Sequence, residues 1–261
     1  MLIALASAKG SPGVTTTATA LAMTWQRDVV LADLDPAGGD VALRARTPNE
    51  DVLDPDVGLL SLAAAARRGL APEEVPEHLQ VIDGGTHVLA GVTRPEQVTG
   101  IGAVWTTIGS ALRAVPETDV LVDCGRVTPG TPVLPVITAA DALVVVVRPS
   151  LDSYAHVRDR LRWLSGPMQL EQPGATGASS VGVLVVADPG ERTVTQDLDR
   201  LLQHEGLPVR VLGRIGRDKR AAEALAGRWS RRLNRSLLMR SAREVRDSIA
   251  ELSPSDPAAA S

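Results

Sequence analysis

The chain has 261 residues, 44% of them apolar and 22% charged, with a formal charge of −4 and a single cysteine. Its longest aliphatic run, residues 142–147, falls far short of the roughly 18 residues a membrane span needs, and no charged segment precedes the first apolar stretch, so a soluble, cytoplasmic protein without a transmembrane segment is expected. The lone Cys124 allows no internal disulfide and no cysteine-based structural zinc site, and His78, His87, His156 and His204 are scattered without ligand spacing.

The length fits one domain over residues 1–252, followed by a Pro-, Ala- and Ser-rich tail, residues 253–261, that is expected to be disordered. In chain order, short β-branched runs alternate with segments of helical period. Strands are predicted over residues 2–6, 29–33, 120–122, 143–147, 181–186 and 209–212. Helices are predicted over residues 15–25, 58–68, 95–114, 153–164 and 193–204, with one or two more after Asp218. Residues 165–180, rich in Gly, Pro, Ser and Ala, read as a surface loop. Several strands are apolar on both faces, as expected where helices cover both sides of a mostly parallel sheet, so the fold class is a doubly wound α/β structure.

Two features of composition stand out. There are 25 Arg against 2 Lys, and only five aromatic residues with no Phe, so the core must be aliphatic. One of the two lysines, Lys9, opens the segment Lys9-Gly10-Ser11-Pro12-Gly13-Val14-Thr15-Thr16 between the first strand and the first helix. Glycines at such a junction let successive backbone N–H groups converge on an anion, toward which the following helix directs its positive end; phosphate is the natural ligand. A plain strand-to-helix turn remains the alternative for this octet alone. Two further strands end in carboxylates, Asp33 with Asp35 and then Asp123, and in open α/β sheets ligands bind outside the carboxyl ends of the strands. Lys9, Asp33, Asp35 and Asp123 are thus expected at one crevice, where phosphates, magnesium and an attacking water need such groups.

These residues resemble the ParA/MinD family of deviant Walker A ATPases, P-loop proteins whose loop reads Lys-Gly-Gly-x-Gly-Lys-Thr-Thr. Lys9 falls on the signature lysine, Gly10 and Gly13 on the glycines, and Thr15 and Thr16 on the paired hydroxyls. Residues 33–36 are similar to the first switch, Asp123 to the Walker B or second-switch aspartate, residues 140–149 to the strand that follows it, and residues 206–218 to the late strand and the loop near the base. The resemblance covers nearly the whole chain. It departs at Ser11, where the family has glycine, and at Val14, where it has the lysine that neutralises the β- and γ-phosphates. The TadZ/CpaE branch of the family also lacks that lysine.

The resemblance implies ATP and Mg2+ as cofactors and a homodimer formed around nucleotide. It gives Lys9 a phosphate contact across that dimer and makes the segment from Lys9 to Thr16 (Gly10, Ser11, Pro12, Gly13, Val14, Thr15) the phosphate cradle. Thr15, Asp33 and Asp123 would hold the metal, and Asp35 would position the attacking water. Two activities follow: a slow ATPase that positions DNA, a pilus or a division component, or a non-hydrolysing scaffold that binds a partner protein. Arg126 and Arg148 lie near the same strand ends but are not assigned to the site.

Residues 210–246 hold 12 basic and 3 acidic side chains, a balance of +9 that leaves −13 elsewhere. Leu225, Trp229, Leu233 and Leu237 recur every four positions, with Arg228, Arg231, Arg232 and Arg235 largely on other faces, which predicts an amphipathic basic helix. Its arginines either are simply solvated, or bind DNA phosphates without sequence preference in a nucleoid- or pole-associated protein, or rest on an anionic membrane; the trailing residues 253–261 argue against the last.

Overall fold

The computed structural model describes residues 1–168, 180–207, 209–225 and 232–252. Eight strands form one sheet in the order β3-β4-β2-β5-β1-β6-β7-β8, with β1 (Leu2–Ser7), β2 (Val29–Asp33), β3 (Gln80–Val81), β4 (His87–Leu89), β5 (Asp119–Arg126), β6 (Ala142–Val147), β7 (Ser180–Ala187) and β8 (Arg210–Gly216). All pairings are parallel except β3 with β4 at one edge.

Alternate residues of each central strand enter two buried layers. Leu2, Ala4 and Ala6 of β1 join Val120 and Val122 of β5 and Leu143 and Val145 of β6 on one face. That face is covered by α3 (Leu59–Ala66), α4 (Glu96–Ile101), α5 (Trp105–Arg113), α6 (Leu134–Ala139), α7 (Leu151–Ser165) and α8 (Val194–His204). Ile3, Leu5, Leu121, Val144 and Val146 point the other way, toward α1 (Val14–Ala22), the short α2 (Val41–Arg44), α9 (Lys219–Leu225) and α10 (Leu237–Ala250). Period-2 side-chain alternation with cover on both faces is why these strands read as unbroken apolar runs. The doubly wound class expected from the sequence is the one observed.

The connection from β1 runs through α1 on one face and that from neighbouring β6 through α7 on the other, leaving the sheet in opposite directions. The carboxyl ends of β1 and β6 are therefore a topological switch point, where such sheets form a crevice.

Three expectations need correction. The helix predicted over residues 95–114 is two, because Gly102 takes φ +65 at the end of α4 and a 3-10 turn (Gly102–Val104) re-aims the chain into α5. Strands β3 and β4 and helices α2 and α6 were not anticipated, being two to six residues long. No single helix runs from Leu225 to Leu237: a 3-10 turn (Leu233–Arg235) followed by extended Ser236 precedes α10. Ser236 caps α10 by accepting from the Met239 N–H at 3.3 Å, the local preference that breaks the four-residue spacing. Arg228, Trp229 and Arg231, most of the loop at residues 165–180 and the tail at residues 253–261 lie outside the described residues. Among the described residues, no helix is long and apolar enough to cross a membrane.

Candidate functional site

A cavity of about 590 Å³ opens at the carboxyl end of β1, walled by the loop from Gly10 to Thr16, by Asp35, Ala37, Asp40 and Arg44 after β2, by Gly125 and Arg126 at the end of β5, and by Arg148 after β6. Two of its loop residues require glycine geometry: Gly10 has φ +67, and Gly13, the residue preceding α1, has φ +105. No side chain caps α1, and its first turn carries no acidic residue, so its leading N–H groups remain open to an anion in the cleft. Of the predicted cradle, Lys9 through Thr16, the residues from Gly10 to Thr16 line the cavity.

The side chain of Val14 belongs to the buried cluster that also holds Ile3, Leu5, Ala18 and Leu21. Lys9 does not line the cavity: it is half-exposed, with Nζ 3.9 Å from Asp152 at the start of α7.

The carboxylates sort by depth. Asp33 and Asp123 are register partners on β2 and β5, and both are completely buried. Asp33 accepts from the Val41 N–H at 3.0 Å and more weakly from the Asp35 N–H, so it pins the loop between β2 and α2. Gly39 and Gly91 close around it, and a Cβ on Gly39 would lie 2.4 Å from Asp33 Oδ2. Burial, with the Asp123 charge second, pushes the Asp33 carboxyl up to about 8. The structure thus places Asp33 beneath the cavity as an anchor of its wall, with both oxygens already engaged.

Asp123 differs. Its Oδ1 accepts from the Gly125 N–H at 2.9 Å, but Oδ2 is buried without a hydrogen-bond partner. Burial pushes its carboxyl up to about 6, opposed first by the nearby Thr15 hydroxyl, which does not close a hydrogen bond of normal geometry with it. An orphaned carboxylate oxygen beside a P-loop hydroxyl is a fitting place for a hydrated divalent cation, since buried acceptors otherwise find donors. Among the described residues, no group of three or more His, Cys, Asp or Glu side chains forms a direct metal cluster. Magnesium would therefore depend on Thr15, water and the phosphates themselves.

Asp35 reaches the cavity wall, half-buried, with Oδ1 accepting from the Ala37 N–H at 2.8 Å. Burial raises its carboxyl above the usual range, with Asp40 adding to the rise and the Ala37 N–H and Arg126 opposing it.

The sequence did not single out Asp40 and Arg44, which ion-pair at 2.5 Å on the cavity rim, because a four-residue helix leaves no periodic trace. Arg126 and Arg148 were visible near strand ends, but an arginine-rich chain offers no contrast by which to select them. A second cavity of about 240 Å³ shares Pro12, Gly13, Thr16 and Arg148 with the first and extends past Thr17 to Val186, Ile215, Asp218, Ala222 and Leu238.

No family model matches the chain, and no curated protein matches it in sequence. Solved structures do. A ParA family ATPase from Chlorobium tepidum TLS aligns over 95% of this chain and 97% of its own at 17% identity, with a TM-score of 0.70. The septum site-determining protein MinD from Pyrococcus horikoshii, complexed with Mg-ADP, aligns over 99% and 97% at 14% identity, with a TM-score of 0.70. A putative plasmid partition protein from Borrelia burgdorferi, bound to AMPPNP, aligns over 96% and 98% at 12% identity, with a TM-score of 0.67. At these identities the likeness is one of fold: the chain has the architecture of the ParA/MinD ATPases, which are its structural neighbours.

Proposed function

We propose that the chain is a nucleotide-binding positioning protein of the ParA/MinD type, which binds ATP in the cavity at β1, dimerises around it, hydrolyses it slowly and so places a cellular cargo. The observation that carries this reading is the open N-terminus of α1, entered through left-handed Gly13 and facing a cavity beneath which Asp123 Oδ2 lacks a partner. The nucleotides in the Pyrococcus horikoshii and Borrelia burgdorferi neighbours support the same ligand class.

In this reading the amides from Gly10 to Thr16 hold the phosphates, and the second cavity accepts the nucleoside. Magnesium, when bound, would neutralise phosphate charge at Thr15, with Asp123 holding it through water. Asp35 orients water at the cavity wall, Asp33 keeps that wall in place, and Lys9 contacts phosphate on the partner copy. Residues 1–252 act as one unit.

A second reading, the non-hydrolysing scaffold of the TadZ/CpaE kind, draws on Val14, whose buried side chain replaces the cation expected there. Calorimetry of Mg-ATP binding and phosphate release, on the chain and on Val14→Lys, separates the two. Binding with slow release supports the first reading, whereas binding without release supports the scaffold. An unaltered chain that fails to bind Mg-ATP removes both nucleotide site and ATPase. The cargo, a protein partner and any DNA contact through Arg232 and Arg235 belong to the same proposal.

A further inference from the structure

The loop from Gly10 to Thr16 offers a phosphate tail backbone N–H groups and a helix dipole but no cation, because Val14 is buried in the core and Lys9 stands outside the cavity beside Asp152. A triphosphate in a partly dry cleft needs more than that. Three arginines line the cavity, and their commitments differ. Arg44 is taken by Asp40. Arg126 and Arg148 have no ion pair among the described residues; Arg148 has only a long 3.5 Å donation to the Ser11 carbonyl.

Their placement follows from the topology. Arg126 ends β5 and Arg148 follows β6, the strands on either side of β1, so the two side chains reach the P-loop from opposite flanks. A bulge in the β1–β5 pairing, where Leu5 faces Asp123 but Ser7 faces Arg126, brings Arg126 level with the start of the loop. Bulges beside functional sites commonly re-aim a side chain in this way. Arg160 of α7 lies 5.3 Å over Trp163 with its buried Nε unpartnered. The Arg126 charge lowers the Arg160 guanidinium, after burial. Asp159 offsets part of that effect on Arg160, and Arg126 itself acts on Asp35 across the cavity, so Arg126 carries its charge toward the cleft.

We propose that Arg126 and Arg148 clamp the terminal phosphates of the bound nucleotide from the two flanks of β1, supplying the charge that the P-loop of this chain lacks at position 14. Each guanidinium would bring its positive charge to the phosphate oxygens from the side of the loop. This inference rests on the nucleotide reading above.

The test is calorimetry of Mg-ATP binding by the full chain and by Arg126→Gln, Arg148→Gln and the double variant, with Arg126→Lys and Arg148→Lys alongside. Each glutamine variant should lose about tenfold in affinity, the double variant more, and the lysine variants should stay within about threefold of the unaltered chain. Arg126 is exposed, and Arg148 is only partly buried with a single long hydrogen bond, so melting temperatures without nucleotide should change little. If the unaltered chain binds Mg-ATP and the double glutamine variant binds within about twofold of it, the clamp is wrong while the nucleotide site stands. Lysine variants as weak as the glutamines would also overturn it, since charge would not be the cause. An unaltered chain that fails to bind Mg-ATP would sink the nucleotide reading first and the clamp with it.

Discussion

The carboxylate of Asp35 lies directly over the Cα of Gly125: a Cβ added to Gly125 would fall 2.1 Å from Asp35 Cγ, and the residue has φ +59. The end of β5 thus needs glycine twice, for its backbone and for the room it leaves the carboxylate. Gly125→Ala should swing Asp35 off the cavity wall and cost about 1–2 kcal/mol of stability, read from urea unfolding. Adding Asp35→Ala should recover part of that loss by removing the clash. A double variant no more stable than Gly125→Ala would show that backbone strain alone is responsible.

The buried pair Asp33 and Asp123 gives stability a pH dependence whose sign can be worked out. Asp33 is pushed up to about 8 and Asp123 to about 6, both above the ordinary carboxyl value of 3.8. Between about pH 4 and these values the folded chain binds more protons than the unfolded one, so stability falls as pH rises. Each carboxyl contributes at most about 1.4 kcal/mol per pH unit. Without Mg2+ and nucleotide, unfolding free energy should decline from pH 5 to pH 8, most steeply below pH 6 where both titrate. Asp33→Asn should flatten the decline above pH 6, and an equal slope in that variant would mean that Asp33 is ionised throughout.

The ion pair between Lys9 and Asp152 is long and exposed on both sides, so solvent screening leaves it little effect on stability. Lys9→Ala should leave the melting temperature of the nucleotide-free chain nearly unchanged. It should abolish ATP-dependent dimers in light scattering if Lys9 serves a partner copy. Dimers of undiminished stability would remove Lys9 from the site.

The parts legible in the sequence were those with long or redundant signals. Strands β1, β2, β6 and β7 announced themselves because both faces are buried, and the P-loop because glycines, Lys9 and two threonines fall at a strand-to-helix junction. Asp33, Asp35 and Asp123 were found as strand-end carboxylates, but their division of labour was not: only packing shows that Gly39 and Gly91 enclose Asp33 while Asp123 keeps a free oxygen. Strand β4 is three residues long and pairs with β2 at Val30 and Leu31, a tertiary contact with no local periodicity to reveal it. The break before Leu237 was hidden for the opposite reason, since a regular four-residue spacing runs through it and the Ser236 cap decided otherwise.

That break changes what the basic stretch can do. Arg232 and Arg235 are exposed on either side of buried Leu233, in a turn that packs against the core, so they present charge on a fixed corner of the molecule. A fixed corner suits phosphate contacts along a duplex without base readout, and such contacts release counterions. Random-sequence duplex binding by the unaltered chain should therefore weaken steeply between two salt concentrations. Arg232→Glu with Arg235→Glu should lower affinity at the lower salt and reduce the salt slope by about one for each phosphate that the arginines would otherwise neutralise. The substitutions leave Leu233 and the Ser236 cap untouched, so the fold should melt as before. If duplex affinity and slope both stay the same, these two arginines are merely solvated and any DNA surface lies elsewhere.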